Sequence, residues 1–395
     1  MSGKSPPEVS MADNGYIKSL DGLRAIAVLL VMSFHAEITH FGWFGVQLFF
    51  VLSGFLITGI LWKEKSRDAP VSHKFKKFWV RRTLRIFPLY FGYLLVLGLT
   101  YLFFHFPSYY ATYIPYLLTY TFNFTRTLQD WHGNPLFTHL WSLSIEEQFY
   151  LFFPLIVLLW PPRYIRLLML TVIVLGPFIR LALGHYYATR GLEPELLADT
   201  LYWNTASHID AFFLGGLIPV LSLHQRIRKP RIVFYICLAV ALLAGSLNFY
   251  YSASGHSWFS DLGYNHGQTA HLAYVWEYTC LNLFFVSFIL VLVSDHTRKS
   301  PSRLRKIMET GWLVQIGRVS YGMYIFHWLV MVYVINSFVK VETPLARIGL
   351  FIPYVALVYL VSLLSFKLYE SPFVRLKDRL FPATPAPQKI KTPVS

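Results

Sequence analysis

Polar residues give way near position 20 to an almost unbroken apolar run, LDGLRAIAVLLVMSFHAE. Long apolar runs then alternate with short, often basic, segments until about position 370. A run of about 20 apolar residues is long enough to cross a bilayer as a helix. Such runs fall at 23–40, 43–62, 86–105, 141–160, 165–187, 206–223, 232–250, 272–293, 315–338 and 347–369. An eleventh candidate, YYATYIPYLLTYTFNF at 109–124, is shorter and contains Pro115. Loop charge decides whether it crosses, because basic residues collect in cytoplasmic loops. If 109–124 does not cross and the N-terminus is inside, 27 of the 35 Lys and Arg residues fall in inner segments. Only Arg126, Arg190, Lys340 and Arg347 then lie outside. If it did cross, the basic loops at 226–231 and 298–306 would become external. The pattern therefore predicts an all-α polytopic membrane protein of about ten transmembrane helices. Both termini are expected to be cytoplasmic, with 109–124 as a re-entrant or interfacial piece.

Composition agrees with the bilayer as solvent. Hydrophobic residues make up 55% of the 395-residue chain and charged residues only 14%, where a soluble domain carries about a quarter. The net charge of +15 reads as the inner-loop bias of a membrane protein rather than as a nucleic-acid surface, since no nucleic-acid module is recognisable. Cys237 and Cys280 offer neither a disulfide framework nor zinc spacing, and no metal site is expected. The N-terminal stretch lacks the apolar core of a signal peptide. Residues 1–15 and 381–395 read as disordered tails, flanking an integral-membrane domain at 16–380. No internal repeat is visible, which argues against an inverted-repeat transporter.

Against this background the ionisable residues inside apolar runs carry the chemistry. Arg24 and His35 are eleven residues apart, within about 20° of three full helical turns, so they share one face about 16 Å apart along the axis. Arg24 can snorkel to headgroup phosphates and His35 can be an interfacial helix end. The rest of the inventory points further. RRTLRIFPLY brings Arg81, Arg82 and Arg85 into the third run. Arg82 and Arg85 form an i, i+3 pair suited to a phosphate. HLWSLSIEEQFYLFFPL sets Glu146 and Glu147 among aromatic residues. A helix N-terminus can stabilise one of these acids, but hardly both. SHIDAFFLGG adds His208 and Asp210, the latter with no cation nearby in sequence. The ninth run supplies Arg318, Ser320, Tyr321, Tyr324 and His327, groups that can also simply join helices. Charges on five runs would be costly if isolated, so a shared cavity is expected.

The chain resembles the membrane-bound acyltransferase-3 family, which O-acylates bacterial surface glycans, lipopolysaccharide, lipooligosaccharides and some macrolides. The resemblance spans roughly 16–380. It rests on LDGLRAIAVLLVMSFH, GVQLFFVLSGFLIT, RRTLRIFPLY, LWSLSIEEQFYLFFPL, HIDAFFLGG and GRVSYGMYIFH, in the family's order. It looks like the stand-alone form, without the C-terminal SGNH hydrolase-like domain of some relatives. The resemblance implies an acyltransferase of a bacterial cytoplasmic membrane. It would take acetyl or another acyl group from cytoplasmic acyl-CoA, a co-substrate rather than a resident cofactor, to a glycan hydroxyl. Combined with the helical geometry, Arg82 and Arg85, with Arg24 deeper, are expected to hold the CoA phosphates. His35 is expected to act as general base or to carry the acyl group as an acyl-imidazole. Glu146, Glu147 or Asp210 would orient His35 or stabilise its charge. The competing readings are a proton-coupled transporter, with the buried His, Glu and Asp as relays, and a non-catalytic lipid or glycan binder.

Overall fold

The computed structural model describes residues 16–103, 109–128, 131–252, 258–298, 302–335 and 343–381. The expected tails fall outside the described residues, apart from Phe381. Among the described residues there is no strand. Helices of eight residues or more are α1 Lys18–His35, α2 Phe44–Lys65, α3 Val71–Phe103, α4 Tyr109–Leu118, α5 Trp141–Leu159, α6 Pro162–Thr189 and α7 Pro194–Trp203. They continue with α8 Thr205–Val220, α9 Pro230–Ser252, α10 Ala273–Thr297, α11 Gly311–Arg318, α12 Ser320–Val330, α13 Pro344–Ser365 and α14 Ser371–Leu380.

Each of the ten apolar runs contains a helix, but among the described residues seven helices meet the length and composition needed to cross a membrane. Together α11 and α12 make an eighth if counted as one span bent by 76°. Of the other two, α1 carries Lys18, Asp21 and Arg24 within its 18 residues, and α8 has only 16. Both are largely enclosed by protein, so they do not have to match the hydrocarbon as lipid-facing helices do. The first run ends earlier than its apolarity suggests. The helix stops at His35, and a 3₁₀ turn, His40–Trp43, leads into α2. The basic segment before the third run proves to be helix rather than loop, because α3 starts at Val71. No Pro or Gly interrupts 71–87, and Lys and Arg are good helix formers. Segment 109–124 holds the ten-residue α4 and the start of a 3₁₀ turn, Phe122–Thr127. At about 15 Å, α4 is half the hydrocarbon thickness.

Burial sorts the spans into inner and outer helices. Within the span windows, 72% of α2 and 67% of α10 is buried, against 22% of α6 and α9 and 17% of α13. The outer helices present Leu167, Val174, Phe178, Tyr235, Ile352 and Leu360 outward, as lipid contact requires. The inner helices close up through small residues, as membrane helix interfaces do. A Cβ at Gly54 would lie 2.0 Å from the Phe212 carbonyl oxygen, and one at Gly215 would lie 2.0 Å from that of Val51. Those two glycines let the α2 and α8 backbones touch. Likewise a Cβ at Gly317 would lie 1.8 Å from the Asp21 carbonyl oxygen. This close crossing seats α11 on α1 next to Arg24.

Candidate active site

The helix packing gathers polar groups from six helices onto one cleft of about 850 Å³. Arg24 comes from α1, Ser53 from α2, Arg82 and Arg85 from α3, and Glu146 and Tyr150 from α5. The bent α11–α12 pair adds Arg318, Ser320, Tyr321 and Tyr324. Between them the wall is apolar, with Val46, Phe49, Phe50, Leu52 and Leu56 from α2. The shared cavity expected from the sequence therefore holds four arginines and one carboxylate.

Each arginine is held differently. Arg24 is ion-paired with Asp21 one turn earlier. Asp21 also accepts from the Tyr16 hydroxyl at 2.6 Å, and that hydroxyl accepts from Arg318 at 3.3 Å. One aspartate thus anchors Arg24 directly and Arg318 through a tyrosine. Arg82 lies over the Tyr150 ring, 5.5 Å from its centroid, and 6.0 Å from the Phe78 centroid. A cation–π contact of this kind positions a guanidinium without neutralising it. Among the described residues, neither Arg82 nor Arg85 has a carboxylate within ion-pair distance.

The structure separates the two neighbouring glutamates. Glu146 accepts from Ser53 Oγ at 3.1 Å and from the Tyr150 hydroxyl at 2.9 Å, on the cleft. Glu147 does not line it, and its Oε1 is buried without a hydrogen-bond partner. Asp210 is also away from the cleft. The cation missing from its sequence neighbourhood comes from α6: Arg180 Nη1 donates to its carboxylate at 2.9 Å, and both side chains are buried. Asp210 is thereby engaged as a link between α6 and α8. Asn282 and Gln47 extend the chain to α10 and α2. His208 is likewise built into the packing. It donates from Nε2 to the Tyr202 carbonyl at 2.6 Å and stacks on Tyr278.

His35 stands just beyond the cleft, in a group of imidazoles. Its ring stacks on His327 at 5.1 Å and lies 4.7 Å from Trp328. His139 is 4.9 Å from His327. Tyr324 forms the partition: it lines the cleft, and its ring lies 5.6 Å from His327 and 5.7 Å from His139. Its hydroxyl pairs with Ser142 Oγ at 2.5 Å and donates to the His139 carbonyl at 2.8 Å.

The tautomers of two of these rings follow from geometry. A carbonyl only accepts, so His327 Nδ1–H donates to Tyr324 O at 2.6 Å and His139 Nδ1–H donates to Pro135 O at 3.3 Å. In each neutral ring Nε2 then carries the lone pair, and both Nε2 atoms are buried without a partner. The sequence reading missed His139 as a site residue and gave His327 no role beyond its place among the polar groups of the ninth run, which can also simply join helices. Ser320, Tyr324 and His327 do share a helical face by their i, i+4, i+7 spacing, which was a usable signal. His139 opens the HLWSLSIEEQFYLFFPL stretch, but it follows a four-residue helical turn, Pro135–Thr138, and so lies outside the periodic pattern of α5.

The arrangement can bind an anion at one end, shelter an apolar arm along its length and offer bases at the other. The family model described as "Acyltransferase domain" matches residues 17–367. The chain is 29% identical over 381 residues to the peptidoglycan O-acetyltransferase OatA of Listeria monocytogenes serovar 1/2a, covering 90% of this chain and 56% of that protein. It is 26% identical over 397 residues to the O-acetyltransferase OatA of Staphylococcus aureus (strain NCTC 8325 / PS 47), covering 94% of this chain and 59% of that protein. The chain thus spans rather more than half the length of these relatives. No solved structure matches it. With the family model covering all but the two ends, the chain belongs to the membrane-bound acyltransferase-3 family.

Proposed function

We propose that the chain is an integral-membrane O-acyltransferase of a bacterial cytoplasmic membrane. It takes an acyl group, acetyl by preference, from acyl-CoA on the inner side and delivers it to a glycan hydroxyl near the outer face. One observation carries this reading: Arg82 and Arg85, without carboxylate partners, open on a cleft whose far end adjoins the imidazoles of His35, His139 and His327. In this reading the two guanidiniums hold the CoA diphosphate, since Arg forks match phosphate oxygens. The pantetheine arm lies along the apolar α2 wall, and the thioester reaches the Tyr324 end. His35 takes the proton from the attacking sugar hydroxyl as the new ester C–O bond forms. The C–S bond breaks, and the thiolate leaves and is reprotonated as CoA. Glu146, held by Ser53 and Tyr150, stabilises positive charge near the centre of the cleft. The variant of this step in which His35 first accepts the acyl group differs by one covalent intermediate.

The test is His35→Gln in purified protein reconstituted into vesicles, with acetyl-CoA and a surface-glycan acceptor. Glutamine keeps a hydrogen-bonding group but cannot take a proton, so turnover should fall by about 10²–10⁴-fold, the range a general base contributes. Full acetylation by His35→Gln at normal expression would end the assignment. Uptake of a solute without thioester loss in the wild type would favour the transporter reading instead.

A further inference from the structure

A second cleft, of about 680 Å³, adjoins the first and shares Arg82 and Arg85 with it. Its other polar lining residues are Glu64, Lys77, Arg81 and Lys377, above an apolar floor that includes Leu61 and Phe78. The catalytic reading does not use this space. It lies at the C-terminal end of α2 and the basic start of α3, with α14 supplying Lys377.

Charge is what distinguishes it. Lys77 is paired with Glu64 at 2.9 Å, and Arg81 and Lys377 each lie 3.4 Å from Asp378. Glu64 is also paired with Arg67 at 3.2 Å, so two carboxylates face six cations: Arg67, Lys77, Arg81, Arg82, Arg85 and Lys377. Asp378 is itself more than half exposed, so it holds its cations loosely. Lys377, in contrast, is only 12% exposed. Unbalanced positive charge in a partly enclosed site calls for an anion. Along α3, Lys77, Arg81 and Arg85 repeat at i, i+4, i+8, a ladder about 12 Å long on one helix face. A ladder of that kind suits a ligand with more than one phosphate.

We propose that this second cleft is the subsite for the phosphorylated ribose end of the donor: Lys77, Arg81 and Lys377 take the 3′-phosphate of CoA while Arg82 and Arg85 hold its diphosphate. The inference rests on the acyl-CoA reading above and goes further, because it makes the enzyme selective for CoA over simpler thioesters. The 3′-phosphate and the 5′-diphosphate branch from one ribose, so their sites have to lie side by side, as the two clefts do. Ile60, which is exposed at the cleft, offers the flanking nucleoside an apolar surface.

The experiment compares acetyl-CoA with 3′-dephospho-acetyl-CoA in the reconstituted full chain. Wild type should prefer acetyl-CoA by about 10- to 100-fold in kcat/KM, the range for losing one charge-assisted phosphate contact set. Lys377→Gln should lower that preference several-fold, chiefly through KM for acetyl-CoA. The ratio between donors is the readout, so a general loss of folded protein cancels. Equal kcat/KM for the two donors in wild type overturns the proposal, and so does a preference that Lys377→Gln leaves intact. The first of these results is also expected if an anionic lipid headgroup occupies the cleft. Both outcomes leave the acyl-CoA reading standing. Failure to use either thioester would instead defeat that reading itself.

Discussion

Arg180 and the pair Arg82–Arg85 are the same residue type inside one bundle, yet their circumstances are opposite. Arg180 is fully buried and every donor direction is met. Nη1 donates to Asp210 and to the Ser207 carbonyl, Nη2 donates to Thr279 and the Val275 carbonyl, and Nε also faces Val275. Arg82 and Arg85 border a cleft, with aromatic faces beside Arg82 and, among the described residues, no carboxylate within ion-pair distance of either. A buried charge is tolerated when its hydrogen bonds are complete, and such a residue holds helices together. A charge kept incomplete at the edge of a cavity is available to a ligand. The saturation of each guanidinium, rather than its depth, therefore separates a structural arginine from a binding one.

The largest effect that would break or sharpen this comparison is expected at Asp210. Asp210→Ala leaves Arg180 buried without its counter-charge, which should cost about 3–5 kcal/mol. Thermal unfolding in detergent should record it as a strongly lowered midpoint and poor folded yield. Any folded fraction should keep acyl transfer per molecule. A well-folded but inactive Asp210→Ala would move Asp210 into the catalytic set. Next come the cleft arginines. Arg82→Ala or Arg85→Ala should fold normally and raise KM for acetyl-CoA by about 10-fold or more, as expected for a contact to a charged group. Lys at either position should rescue only in part, because the planar fork is lost. Wild-type donor affinity in both alanine variants would make them a snorkelling belt. The smallest expected effect belongs to the glutamates. Glu146→Gln should lower kcat/KM by about 10-fold, since two hydroxyls hold its carboxylate on the cleft. Glu147→Gln, at a residue that does not line the cleft, should stay within about 3-fold. Equal losses for both would mean that orientation on α5 does not decide their roles.

Much of the site was legible before any coordinates. Arg24 and His35 lie on one unbroken helix, as their spacing implied, and Arg82 and Arg85 face the same cleft, as an i, i+3 pair should. Four of the five polar groups named on the ninth run line the cleft. What the sequence reading could not resolve lay one residue, or one helix, away. Glu146 and Glu147 differ by 100° of helical rotation, and only the neighbours of α5 decide which of them meets the cavity. Asp210 looked unpaired because its cation is thirty residues upstream on another helix.

The sequence by itself determined what depends on local repetition and on transfer between water and lipid. That covers the apolar helical segments, the shortness of 109–124, the faces on which charges recur and the family to which the motifs belong. These follow from the helical period and the cost of exposing polar backbone to hydrocarbon, both of which act over about twenty residues. Tertiary structure alone decided which charges are satisfied. Arg180 finds Asp210, α11 turns 76° into α12 beside Arg24, and His35, His139 and His327 meet from three separate segments. Those outcomes depend on which helices cross and how closely. Here the close crossings are set by glycines such as Gly54, Gly215 and Gly317, whose contacts are with backbone far away in the chain.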